Sequence, residues 1–94
     1  MATEIPSGIK FRVTRQCLAK RIEKKVVLVH MKHQRIHVLN ESAATVWNLI
    51  SKGCTVGEIR QFLLKQFRIS EDQLLREIEG TIALLTREEF IEPQ

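Results

Sequence analysis

The feature that most constrains this chain is a change of hydrophobic period at Leu39-Asn40. Upstream, apolar residues come in runs of strand length, Cys17–Ile22, Val26–Met31 and Arg35–Leu39. Between them lie Glu23-Lys24-Lys25 and Lys32-His33-Gln34, polar and hairpin-sized, so the three runs are expected to form an antiparallel meander. Val26-Val27-Leu28-Val29 is apolar on both faces, as a central strand should be, which leaves the first and third strands at the edges. Downstream, Ala43, Val46, Trp47 and Ile50 recur at i, i+3, i+4 and i+7, one face of a helix. A chain that makes this switch once has a βββααα order and an α+β fold, with helices packed on a sheet.

Local signals punctuate the helical half. Asn40 can cap the first helix through its side-chain oxygen, and Gly53 stands where a helix end needs a left-handed residue. Thr55-Val56-Gly57-Glu58 has capping-box spacing and opens a second helix whose apolar face is Val56, Ile59, Leu63 and Phe67, with Phe62 beside it. Ser70-Glu71-Asp72-Gln73 repeats the spacing, with two acids in the first turn to suit the helix dipole. The third helix runs to about Glu88 with Leu74, Ile78 and Leu85 inward, and Phe90-Ile91 is expected to pack back on the core. The short Gly53-Cys54 joint gives a helix-turn-helix-like corner. Phe11 and Val13 alternate with Arg12 and Thr14 as a further short strand. Residues 1–9 have no period and are expected to form a flexible arm, leaving 10–94 as a single domain.

Ninety-four residues suffice for one domain. No apolar run approaches the ~18 residues of a membrane helix. The N-terminus has neither the basic start nor the apolar stretch of a signal peptide, which points to the cytoplasm. There Cys17 and Cys54, far apart and without C-x-x-C spacing, are expected to be free thiols. Residues 1–40 carry nine Lys or Arg against Glu4 and Glu23, a net of +7, whereas residues 70–94 carry a net of −5. The asymmetry is either a solvated charged surface or the footprint of a partner that is acidic where it meets the first half.

Val27-Leu28-Val29-His30, followed by Arg35-Ile36-His37-Val38-Leu39-Asn40-Glu41-Ser42-Ala43-Ala44-Thr45-Val46-Trp47, resembles the PqqD-like pattern. In it a hydrophobic hairpin runs into Leu-Asn, two small residues and an aliphatic-Trp pair. Thr55-Val56-Gly57-Glu58-Ile59 and the helix to Phe67 are similar to the family's second helix, and Phe90-Ile91 to its closing pair, so the likeness spans roughly residues 17 to 91. The resemblance implies a winged-helix-like, non-catalytic domain without cofactors, a recognition element (peptide chaperone) for ribosomally made and modified peptides. It implies that the leader peptide of a precursor adds as a strand to the edge of the third strand, against the third helix. The domain then presents the precursor to a radical S-adenosylmethionine enzyme or a leader protease. One position departs from the pattern. Glu89 stands where the family often has Gly, so either the last helix runs on or Glu89 adopts a left-handed conformation.

Strand addition draws affinity from backbone groups and specificity from side-chain pockets. Lys20, Arg21, Lys24 and Lys25 blunt the first edge. Arg35-Ile36-His37-Val38 is the less protected edge and the expected peptide-binding strand. Its four residues fall into two backbone classes by parity, which the sequence does not assign. On the third helix, Leu75 and Ile82 lie about 40–100° to one side of the core stripe. They either wall the groove or widen the core, with Leu84, on the other side, as the rival groove residue.

Other chemistries find little footing. His30, His33 and His37 lack converging Cys, Asp or Glu in ligand spacing, so no metal site is expected. Neither cysteine has a His or acid partner, no Gly-rich phosphate loop exists, and the paired carboxylates Glu71-Asp72 and Glu88-Glu89 sit at helix ends. A winged-helix DNA-binding protein is the alternative, since the corner and a pI near 9.4 invite it. Arg60, Lys65 and Arg68 on the second helix favour it. Residues 71–89, with six acids against two arginines, oppose it, because a polyanion is repelled there.

Overall fold

A computed structural model describes residues 6–94. Five strands and three helices follow one another: β1 (Phe11–Val13), β2 (Cys17–Ile22), β3 (Lys25–His30), β4 (Arg35–Leu39), α1 (Glu41–Ser51), α2 (Val56–Gln66), α3 (Glu71–Arg87) and β5 (Ile91–Pro93). The antiparallel sheet has the order β2-β3-β4, followed by the three helices, so the expected α+β architecture is the observed one. β1 and β5 form a separate antiparallel pair, Phe11 opposite Pro93 and Val13 opposite Ile91. Among the described residues no helix is long and apolar enough to cross a membrane.

Both hairpin turns differ in length from the spacers visible in the sequence. β2 and β3 close on Ile22 opposite Lys25, so Lys25 is in the strand and only Glu23-Lys24 turns. Two-residue hairpin loops demand positive φ, normally from Gly or Asn; here Glu23 takes it, at φ 57°. The second turn takes four residues, since His30 pairs with Arg35, and Gln34 holds φ 53°. Met31 therefore leaves the strand expected to contain it.

The helix caps follow the local signals. Asn40 Oδ1 accepts the Ala43 N–H at 3.0 Å. Thr55 and Glu58 form both bonds of a capping box, at 2.8 and 3.1 Å. Ser70 Oγ accepts the Gln73 N–H at 3.2 Å. The first-turn donors of α2 gain further partners from the segment before β1. Ile9 C=O accepts from Val56 N–H at 3.0 Å and Ser7 C=O from Gly57 N–H at 2.9 Å, answering groups a helix start leaves orphaned. Gly57 suits this close approach, since a Cβ there would stand 3.2 Å from Ser7 Cβ and the segment would have to give by a few tenths of an ångström. Of residues 1–9, expected as an arm, 1–5 lie outside the described residues, while Ser7 and Ile9 are tied to α2 in this way.

Two helices end in the same device. Gly53 (φ 84°) closes α1, with its N–H on Ile50 C=O and the Cys54 N–H on Leu49 C=O. Glu89 (φ 63°) closes α3, with its N–H on Thr86 C=O and the Phe90 N–H on Leu85 C=O. These are Schellman motifs, and they resolve the question at Glu89 in favour of the left-handed form. The turn sends Phe90 and Ile91, 0% and 1% exposed, into the core. There they join Leu28, Val46, Trp47, Ile59, Leu74, Ile78 and Leu85. Each such buried side chain contributes roughly 1.5–3 kcal/mol. The helices cover one face of the sheet only. On the other, Leu18, Val29 and Ile36 stand in one cross-strand row and Val27 and Val38 in the next.

Candidate functional site

Among the described residues β4 has no strand on its outer side, and the register assigns its parity. A two-residue hairpin closes on a pair that exchanges both backbone bonds, here Ile22 and Lys25. Counting by twos along β3, Val27 and Val29 also turn their N–H and C=O towards β2. The Met31 N–H, next in that series, donates to Gln16 C=O at 2.8 Å. Val26, Leu28 and His30 therefore turn towards β4, where they face Leu39, His37 and Arg35. It follows that Arg35 and His37 commit their backbone to β3, while Ile36 and Val38 present N–H and C=O to the open edge. The Ile36 and Val38 side chains lie on the outer face, 67% and 62% exposed.

The C-terminal end of α3 meets this edge through its C-cap residue, Glu88. Glu88 bonds Arg35 through one carboxylate oxygen, and its other oxygen lies 3.2 Å from His37 Nε2. Burial alone would raise the Glu88 carboxyl. The hydrogen bond from His37 and the charges of Arg35, His37 and Arg87 outweigh it and hold the group below the ordinary carboxylate range. The His37 ring meets Phe90 edge-on, with centroids 5.6 Å apart. One helical stripe, at 100° per residue, contains Glu88 together with Leu84, Thr81 and Glu77. Glu77 and Thr81 border a crevice with Ser42 and Val46 of α1. The stripe thus follows β4 and its continuation into α1, with half-buried Leu84 in its middle.

The expected groove residues divide on this geometry. Arg35, Ile36, His37 and Val38 form the open edge. Leu75 and Ile82 lie on the flank of α3 away from Glu88, because their phase falls on the other side of the core stripe. Ile82 is 2% exposed and belongs to the core. Leu84, the rival, shares the flank of Glu88 by phase and is half-buried. Sequence phase gives an angle about the helix axis but not which flank meets β4; only the Glu88 contact decides that.

The basic residues of the first half are not gathered at this edge. Lys20, Arg21, Lys24 and Lys25 belong to β2, its turn and the start of β3, and Arg35 is engaged by Glu88. Nor does the edge carry a nucleophile. Cys17 lies across the sheet, opposite His30, and burial pushes its thiol up to about 11. Both cysteines are unpaired.

The sequence matches the family profile described as Coenzyme PQQ synthesis protein D (PqqD) over residues 25–91. No curated protein matches it significantly. Two solved structures share its fold. One is "TbiB1 in Complex with the TbiA(beta) Leader Peptide", 18% identical with a TM-score of 0.80, the match covering 86% of this chain and 94% of that one. The other is "Lasso peptide synthetase B1 complexed with the leader peptide", 19% identical with a TM-score of 0.80, covering 89% of this chain and 99% of that one.

Proposed function

Because the chain belongs to the PqqD family, we propose that it captures the leader segment of a ribosomally made precursor peptide and holds it for a modifying enzyme. The observation that carries this is the unpaired β4 edge, with the backbone of Ile36 and Val38 turned outward beside α3. An extended peptide laid there exchanges main-chain bonds with both residues, the recognition mode of strand addition. Its side chains alternate. One set lies beside Ile36 and Val38 on the outer apolar face, and the other turns towards Leu84, Thr81 and Glu77. Apolar cross-strand pairs contribute roughly 0.2–1 kcal/mol each.

The two structural neighbours are both described in complex with leader peptides, which supports the same ligand class here. The role requires no catalytic group from this chain. The enzyme served is a leader protease of the lasso type or a radical S-adenosylmethionine enzyme. The charge at the edge disfavours duplex DNA, since α3 lines it with Glu77 and Glu88.

A fluorescent synthetic leader of the precursor encoded beside this gene, titrated with the full chain, tests the reading. Saturable binding with weak salt dependence is expected, because Arg35 and His37 are already compensated by Glu88. Absence of leader binding, together with tight and steeply salt-dependent binding of random duplex DNA, would overturn it.

A further inference from the structure

His30, His33 and Glu89 converge where β3 turns towards β4. One ligand atom from each lies within 4.8 Å of the other two. They come from the end of a strand, a turn and the left-handed residue after α3, and His30 and Glu89 are positioned by contacts outside the cluster. His30 is 3% exposed, its ring 5.8 Å from Phe90 and 4.4 Å from His33. Its Nδ1 accepts the His33 backbone N–H at 3.3 Å, so its lone pair faces the turn. Glu89 is fixed by the Schellman bonds, and Thr14 Oγ1 donates to its carbonyl at 2.9 Å. Its carboxylate meets His33 Nε2. Glycine would make the same turn without the roughly 1 kcal/mol or more that a side chain costs at positive φ; what glutamate adds is the carboxylate.

We propose that His30, His33 and Glu89 bind one divalent transition-metal ion of the zinc class. The ion would take the place of the proton between His33 Nε2 and Glu89 and accept the His30 lone pair, giving up one long hydrogen bond in the turn. Two imidazoles and a carboxylate suit zinc, nickel or copper better than magnesium or calcium. Bonds near 2.1 Å in tetrahedral geometry set ligand atoms about 3.4 Å apart; the His33–Glu89 pair, now in direct hydrogen-bond contact, would part to admit the ion, within a cluster that spans no more than 4.8 Å. The three residues line one cleft of about 360 Å³, which leaves room for water as a fourth ligand. Glu92, on the same cleft, is engaged by Arg12 at 2.8 Å, and the exposed Lys32 ammonium can turn to solvent. Bound there, the ion ties the β3–β4 turn to the end of α3. The proposal is independent of what β4 binds.

The test titrates the full chain, kept reduced and in chelator-free buffer, with zinc chloride and then nickel chloride by calorimetry, with melting temperature followed in parallel. One ion per chain and a raised melting temperature are expected. His33→Gln and Glu89→Gln, both at exposed positions, should each weaken binding by roughly tenfold or more, since loss of even an outer-shell partner costs that much. Glu89→Gly should raise the metal-free melting temperature and lose the ion, opposite signs that a merely structural Glu89 would not give. Absence of a stoichiometric heat overturns the proposal, as does binding that survives His33→Gln and Glu89→Gln but disappears in Cys17→Ser.

Discussion

Proline substitution along β4 separates the two backbone classes and tests the docking edge at single-residue resolution. Proline removes one N–H and restrains φ. At His37 the lost N–H bonds Leu28, a residue with 0% exposure. A net hydrogen bond of ~1 kcal/mol disappears and a buried carbonyl is left unpaired for a further 1–3 kcal/mol or so. For a domain of this size each kilocalorie moves the melting temperature by roughly 4–8 °C, so His37→Pro should melt more than about 10 °C below wild type. Ile36 and Val38 lose no internal bond, their side chains are mostly exposed, and edge strands tolerate proline. Those two variants should stay within about 1 kcal/mol of wild type, the residual cost being mainly the φ restraint. Their leader affinity should fall about tenfold or more, since one intermolecular backbone bond is lost and the ring obstructs the approach. Circular-dichroism melts and fluorescence anisotropy measure the two quantities, with Ile36→Ala, His37→Ala and Val38→Ala as side-chain controls. If Ile36→Pro and Val38→Pro bind leader like wild type, the peptide does not dock on β4. If they melt like His37→Pro, the parity assigned from the β2–β3 hairpin is wrong.

Three further outcomes follow from the same structure. Asn40→Ala should cost about 1 kcal/mol, the usual loss for an N-cap; an unchanged denaturation midpoint would show that the 3.0 Å bond to Ala43 N–H contributes nothing. Leu84→Asp should weaken leader binding while Leu75→Asp leaves it unchanged, by the same anisotropy assay; the reverse order would place the groove on the other flank of α3. The Glu88 carboxyl is held below its ordinary value, so its contribution is complete above the unfolded-state pKa and fades as pH falls through the lower folded value. Glu88→Gln should therefore lower the melting temperature at neutral pH, and the deficit should shrink as the pH is taken below the ordinary carboxylate range and through the lower folded value; a deficit that stays constant throughout the acid titration refutes the ionic account.

Local chemistry made much of the fold legible. Asn40, Gly53, Thr55 and Glu58 act within four residues of themselves, so their roles could be read without knowing the rest of the molecule. What resisted reading is non-local or degenerate. β5 pairs with a strand some 80 positions away and carries no pattern of its own. The turns hid their lengths because Glu23 and Gln34, not glycine, take the positive φ. Leu75 and Leu84 lie on opposite flanks of the core stripe by phase, and only the ion pair of Glu88 with Arg35 shows which flank meets β4. No ligand spacing near His30 and His33 pointed to Glu89, which lies 56 residues beyond His33.

The β1–β5 pair gives the molecule a kinetic character of its own. It joins the two ends of the described chain, with the Gln94 N–H on Lys10 C=O at 3.0 Å and the Thr14 N–H on Phe90 C=O at 3.0 Å. Closing so long a loop costs entropy that the rest of the fold must first offset, so this clasp should form late in folding. Thr14 is also the residue that holds the left-handed turn from behind, and that turn carries both Glu88 and Glu89. Each opening of the clasp therefore loosens the acidic end of the groove. Deuterium uptake at the Thr14 amide becomes a clock for that loosening, and a peptide seated along β4 should slow it.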